Sequence, residues 1–132
     1  MSLLTGGLHH LAIRTTDLGR SKRFYTETMG FQHVLETDGA VLLNANGTLL
    51  GLRGDAPETC PQDRFDPFRV GLDHLALAVA NAESLYELSQ QLDAAGVRNN
   101  GVEDDTLTGA RYIAFYDPDG IAWELYAMPA SS

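Results

Sequence analysis

Two stretches of the chain carry one pattern of apolar and polar positions. Gly7-Leu8-His9-His10-Leu11-Ala12-Ile13 is echoed by Gly71-Leu72-Asp73-His74-Leu75-Ala76-Leu77. Both alternate bulky aliphatics with small or polar residues, as a half-buried strand does. After the first, Thr16-Asp17 offers a helix cap, and Leu18, Phe24, Tyr25 and Met29 recur at helical spacing. A helix over residues 18–29, ended by Gly30, is predicted. Strands over 31–37, 40–44 and 48–53 follow, with Asp38-Gly39 and Asn46-Gly47 as hairpin turns. The later half repeats the plan: a strand over 72–79, a helix over 82–95, and strands over 97–103, 110–116 and 121–127. Leu85, Leu88, Leu92 and Ala95 form the helix stripe, and Asp119-Gly120 makes the last turn. Between the halves, residues 54–68 hold Pro57, Pro61 and Pro67 and read as a connection without regular structure.

The expected architecture is α+β: two βαβββ modules in tandem, over residues 7–54 and 71–128, joined by a linker over 55–70 within a single domain of residues 1–132. Side by side, two such modules form a curved, mostly antiparallel half-barrel sheet. Helices cover its outer face and the concave face stays open. Strand parity then sorts the side chains. If His10 faces the hollow, so do Ala12 and Arg14, while Leu11 and Ile13 face the helix. His74 shares its face with Ala76 and Ala78. Glu124 shares its face with Ala122, Tyr126 and, across the sheet, Tyr112, opposite Trp123 and Leu125. Small residues around polar ones leave room for a ligand, whereas a plain core is filled.

Taken singly, a strand histidine is a hydrogen-bonded structural residue and a glutamate in a terminal strand is solvated. Joint placement changes the reading. His10 and His74 are equivalent under the repeat, and Glu124 lies in an otherwise apolar strand, where a charge is costly unless paired or coordinated. Two imidazoles and one carboxylate suit one divalent metal (Fe, Mn, Zn, Ni or Co) and leave coordination positions open for water and substrate. Aligning the last hairpin of each half puts Gly51 opposite Glu124, so the first half offers no fourth ligand there. His9 and His33 fit structural roles better, His9 at a sheet edge or surface.

Bulk properties narrow the partners. A formal charge of −9 over 132 residues opposes binding to a phosphate backbone. No apolar run reaches the roughly 20 residues that span a bilayer, and no leader segment is evident, so a cytoplasmic protein with neither nucleic-acid nor membrane partners is expected. Cys60, the single cysteine, reads as a bystander thiol.

The chain resembles the vicinal oxygen chelate superfamily, which groups glyoxalases, fosfomycin-resistance transferases, methylmalonyl-CoA epimerases, extradiol dioxygenases and bleomycin-resistance proteins. The resemblance rests on His10-Leu-Ala-Ile-Arg-Thr-Thr-Asp17-Leu, on Phe24-Tyr25 with Met29-Gly30-Phe31, on Asp73-His74-Leu-Ala-Leu-Ala-Val79, and on Asp117-Pro-Asp-Gly-Ile-Ala-Trp-Glu124-Leu. It implies metal ligands at His10, His74 and Glu124, with Glu124 also catalytic, and a metal acting as Lewis acid on a small substrate with two neighbouring oxygens. Arg14, Tyr112 and Tyr126 are the expected substrate contacts, and a homodimer is implied. The implied activity is that of a lyase, isomerase, transferase or extradiol-type dioxygenase. Departures matter: Gly51 stands where glyoxalase I has a fourth ligand. Ala12 and Ala114 stand where fosfomycin-resistance enzymes have a threonine and a tyrosine. No histidine follows His74 to serve as the acid/base of an extradiol enzyme. The alternative is a non-catalytic binder of a drug or metabolite, as in bleomycin resistance.

Overall fold

The computed structural model describes residues 2–129. The chain divides into two compact units, residues 1–63 and 64–132. Each carries one four-stranded mixed sheet and the order strand, helix, three strands.

In the first unit β1 (His10–Arg14) runs parallel to β4 (Thr48–Arg53), and β3 (Ala40–Ala45) and β2 (Gln32–Thr37) continue the sheet antiparallel in the order β1-β4-β3-β2. Helix α1 (Leu18–Arg23) packs on β3 and β4. Val41, Leu43, Leu50 and Leu52 are buried on that side, with Ile13 from β1 and Tyr25 from the chain after α1. Each such side chain contributes about 1.5–3 kcal/mol of burial. Period two then leaves His10, Ala12, Arg14, Leu42, Gly51 and Arg53 on the face away from the helix.

The second unit repeats this. Strand β5 (Leu75–Ala78) is parallel to β8 (Ala122–Ala127), followed by β7 (Arg111–Tyr116) and β6 (Asn99–Asp104). Helix α2 (Ser84–Ala94) buries Leu85 and Leu92 and packs on β6 and β7. Ile113, Phe115, Trp123 and Leu125 fill the core beneath it, with the Phe115 and Trp123 rings stacked at 6.4 Å.

Register shows that the halves are structural duplicates. Ala12 lies beside Gly51, which lies beside Leu42; Ala76 lies beside Glu124, which lies beside Ala114. Gly51 is therefore the counterpart of Glu124 in three dimensions as in sequence.

Several boundaries differ from those read in the sequence. Strand β1 begins at His10 rather than residue 8, and β5 at Leu75 rather than residue 72, which leaves His74 immediately before its strand. The first helix does not run regularly to Met29. After Arg23 it widens into a π-helical turn, Phe24–Thr28, closed by Met29 N–H donating to the Phe24 carbonyl five residues back. The Thr26 hydroxyl donates to the Lys22 carbonyl at 2.7 Å, a local bond that competes with the regular helical ladder. The turn leaves Tyr25 fully buried and stacked on Phe31. Helix α2 starts two residues later than expected, where the Asn81 side chain accepts from the Ser84 N–H at 3.0 Å. Among the described residues no helix is long and apolar enough to cross a membrane.

Candidate metal centre

The second unit brings two of the three expected ligands together. Glu124 is held in register by the turn that starts β8. The buried Asp117 carboxylate accepts from the Asp119 and Ile121 N–H groups at 2.9 and 2.8 Å, and Gly120 takes the positive φ of 81° that the turn requires. His74, just before β5, directs Nε2 toward Glu124 Oε1 at 3.5 Å. Its other nitrogen, Nδ1, lies 2.6 Å from Asp73 Oδ1. An ionised carboxylate can only accept, so the proton belongs on Nδ1 and the Nε2 lone pair points at Glu124.

Two electron-pair donors thus face each other. That arrangement is repulsive unless a cation or a proton sits between them. Metal–nitrogen and metal–oxygen bonds of about 2.0–2.2 Å, at angles of about 90–110°, separate the two donors by about 3.0–3.5 Å, so the observed gap suits a shared ion. The surroundings agree. Burial pushes the Glu124 carboxyl above its ordinary range; a protonated His74 would oppose this, while Asp105, Asp73 and Glu103 add to it. A buried acid among acids is a place where a cation is stabilised.

His10 is contributed by the first unit. It is exposed on the open face, and its Nδ1 lies 2.9 Å from Nδ1 of His9, the residue at the position of Asp73 in the repeat. In both units, then, the residue preceding the strand histidine engages its Nδ1 and leaves Nε2 available. Among the described residues no three His, Cys, Asp or Glu side chains form a metal-sized group. The candidate ligands are divided, one in the first unit and two in the second.

The remaining candidates are placed as follows. Arg14 is on the His10 face, with Nη1 3.5 Å from the Gly54 carbonyl. Tyr112 and Tyr126 are cross-strand neighbours on the Glu124 face, their rings stacked at 6.1 Å. Neither hydroxyl is idle. Tyr126 donates to Asp105 at 2.7 Å and contacts the Thr108 hydroxyl at 2.5 Å. The Thr108 bond pulls the Tyr126 pKa down, but Asp105, burial and the nearby charges outweigh it, so the value is raised. Its hydrogen bond to Glu103, with burial behind it, pushes Tyr112 up to about 12. Both phenols stay protonated at neutral pH and can donate but not abstract a proton. His33 sits apart, 3.0 Å from Glu36, which also pairs with Lys22.

Sequence reasoning passed over Asp73, Asp105 and Arg53. For Asp73 the signal was present: an acid directly before a candidate ligand, at the repeat position of His9. His9 itself is exposed, as expected, yet it touches His10 rather than standing apart from the site.

Comparison with known proteins places this fold. Residues 7–125 match the profile of the Glyoxalase/Bleomycin resistance protein/Dioxygenase superfamily. The uncharacterized protein YwkD of Bacillus subtilis (strain 168) is 34% identical over 130 residues, covering 94% of this chain and 98% of that protein. Among solved structures, a glyoxylase/bleomycin resistance protein/dioxygenase domain from Frankia sp. EAN1pec is similar with a TM-score of 0.81 at 26% identity, over 98% of this chain and 96% of that one. The fosfomycin resistance protein FosX of Listeria monocytogenes shares the fold, with a TM-score of 0.75 at 19% identity over 96% of each chain. The duplicated βαβββ plan, the matched register and these similarities lead to one conclusion: this chain belongs to the glyoxalase/bleomycin resistance protein/dioxygenase superfamily.

Proposed function

We propose that the protein is a metal-dependent enzyme acting on a small molecule with two vicinal oxygens, through one divalent ion held by His10, His74 and Glu124. The observation that carries this reading is the His74 Nε2–Glu124 Oε1 pair, 3.5 Å apart, with Asp73 fixing the imidazole tautomer. When bound, the ion supplies Lewis acidity that polarises a substrate oxygen. The chain's own residues do the rest. Asp73 and His9 orient the two imidazoles. Glu124 is the carboxylate placed to take up a proton as substrate exchanges into the site. Tyr112 and Tyr126 present hydrogen-bond donors on the same face, and Arg14 presents a cation on the His10 face.

Because the ligands are divided one and two between the units, the site needs both. Both units could come from one chain or from two chains of a homodimer, and the connection between the units is long enough to permit either. The cytoplasm suits a chain with one exposed thiol, Cys60.

Elemental analysis of the purified protein and of His74→Ala tests the proposal. One equivalent of a transition metal is expected in the wild type and almost none in the variant; equal metal content in both would sink it. A second reading, a binder without catalysis, is favoured by one feature: neither phenol is free to act as a base. Absence of stoichiometric metal from the wild type, together with tight uptake of a bulky ligand, would select it.

A further inference from the structure

The open face of the first unit holds a cavity of about 390 Å³ with His10 at one end and Arg53 at the other, floored by Leu42, Leu49 and Gly51 and walled by Leu35. Its chemistry is unlike that of the metal-ligand end. The walls are apolar, and Leu35, 53% exposed, lies on the edge strand β2 with nothing in this unit to cover it. At the far end the Cα partners across β1 and β4 are Arg14 and Arg53, two like charges on neighbouring strands of the same face. Such a pairing is unfavourable unless a counter-charge joins it. Among the described residues neither guanidinium stands in an ion pair with an acidic side chain; Arg14 reaches only the Gly54 carbonyl at 3.5 Å. In a chain of net charge −9, with twice as many acids as cationic residues, an uncompensated Arg53 lining an apolar cavity, with uncompensated Arg14 beside it on the neighbouring strand, is unexpected.

We infer that this cavity is a substrate subsite for a molecule with an apolar body and a terminal carboxylate, the body lying on Leu42, Leu49 and Gly51 and the carboxylate on Arg53 and Arg14. The inference deepens the function proposed above, on which it rests only for the direction in which the molecule's other end points. From His10 to Arg14 is four residues of strand, roughly 13 Å, so the oxygens that meet the metal and the carboxylate stand at opposite ends of the ligand. Guanidinium groups match carboxylate geometry and are more weakly hydrated than ammonium, which favours their use at a half-covered mouth. Gly51 acts here as a specificity residue. A Cβ at this position would meet Ala12 and the Leu11 carbonyl only at ordinary contact distances of 3.6–3.9 Å, so the backbone does not demand glycine. What the missing side chain provides is floor space in the cavity.

The test uses full-length protein freed of metal with EDTA, so that it does not depend on the metal site. The probe is 4-phenylbutyrate, compared with its neutral isostere 4-phenylbutanamide, and binding is read by NMR shift perturbation. The carboxylate is expected to bind at least about fivefold more tightly than the amide in wild type, with shifts at Gly51 and Leu42. Arg53→Gln should abolish that preference and leave amide binding unchanged. Gly51→Leu, which fills the floor, should weaken both probes at least about fivefold, with an unaltered amide spectrum elsewhere reporting an intact fold. Equal binding of the two probes by wild type, or an unaltered preference in both Arg53→Gln and Arg14→Gln, overturns the inference. His10→Ala separates this from the metal proposal: it should lose metal yet keep the carboxylate preference. Loss of metal in His10→Ala without any carboxylate preference in wild type would reject the subsite alone. Retained metal in His10→Ala with the preference intact would reject the metal reading alone.

Discussion

The two units are copies in topology and register, and opposites in chemistry. Residues 1–63 hold five Lys and Arg against seven Asp and Glu; residues 64–132 hold four against eleven. The difference sharpens on the open faces. One presents His10, Leu42, Gly51, Arg14 and Arg53; the other presents His74, Ala114, Glu124 and the acid-bound phenols of Tyr112 and Tyr126. At the central row, Gly51 and Leu42 on one side answer Glu124 and Ala114 on the other. Duplication fixed the scaffold positions; divergence made one half an apolar, cationic surface and the other an acidic one. The acidic face suits a cation, and the apolar, cationic face suits an apolar anion.

Breaking the second half should do the most harm. His74→Ala removes one of the two candidate ligands that the second unit brings together, and metal affinity is expected to fall more than about 100-fold, read by competition with a chelating dye. Next comes the contrast between the residues that orient the two imidazoles. Asp73→Asn keeps the size and loses the charge that holds the His74 Nδ1 proton, and should weaken metal binding about 10–100-fold. His9→Ala removes an imidazole rather than a carboxylate partner of an exposed ring, and its loss should be distinctly smaller. Equal losses in the two variants would mean that Asp73 has no special role.

Gly51→Glu makes the halves alike. The backbone admits a side chain there, so the variant should fold. A fourth ligand at the repeat position of Glu124 should tighten metal binding by about tenfold or less, at the expense of the apolar subsite. Unchanged affinity in a folded variant would argue that the two central rows do not face a common ion.

The smallest effects distinguish two glutamates in the metal-free protein. Burial raises the folded-state pKa of Glu124 above its unfolded value, so its ionised form costs stability that the protonated form does not. Glu124→Gln should therefore raise the thermal midpoint at neutral pH, by about 1–3 °C, and the gain should vanish as pH falls below the unfolded pKa of about 4.3, where the carboxyl is protonated in both states. Glu36 is the reverse case. The hydrogen bond from Lys22 chiefly holds its pKa below the usual value; burial opposes this, and His33 and the Lys22 charge add to the lowering. Its contribution is present above the unfolded pKa and fades as pH falls through the folded one. Glu36→Gln should lower the midpoint slightly at neutral pH and leave it unchanged in acid. Differential scanning fluorimetry across pH reads both, and shifts of the same sign would refute the assigned causes.

The sequence by itself determined the plan of the fold. Period-two alternation in Leu11, Ile13, Trp123 and Leu125 against His10, Ala12 and Glu124 separates the helix-covered face from the open one, because a strand has only two faces. The repeat then equates His10 with His74 and Gly51 with Glu124. Tertiary structure decided what alternation cannot encode. The π-helical turn after Arg23 depends on a side-chain bond from Thr26 and on the burial of Tyr25, neither of which has a period. Asp73 at His74, Asp105 at Tyr126 and Arg53 beside Arg14 are neighbours created by strand register and by the turns that carry it. Hydrophobic spacing reports which way a side chain points; which polar group it meets depends on residues distant in the chain, and only the folded sheet brings those together.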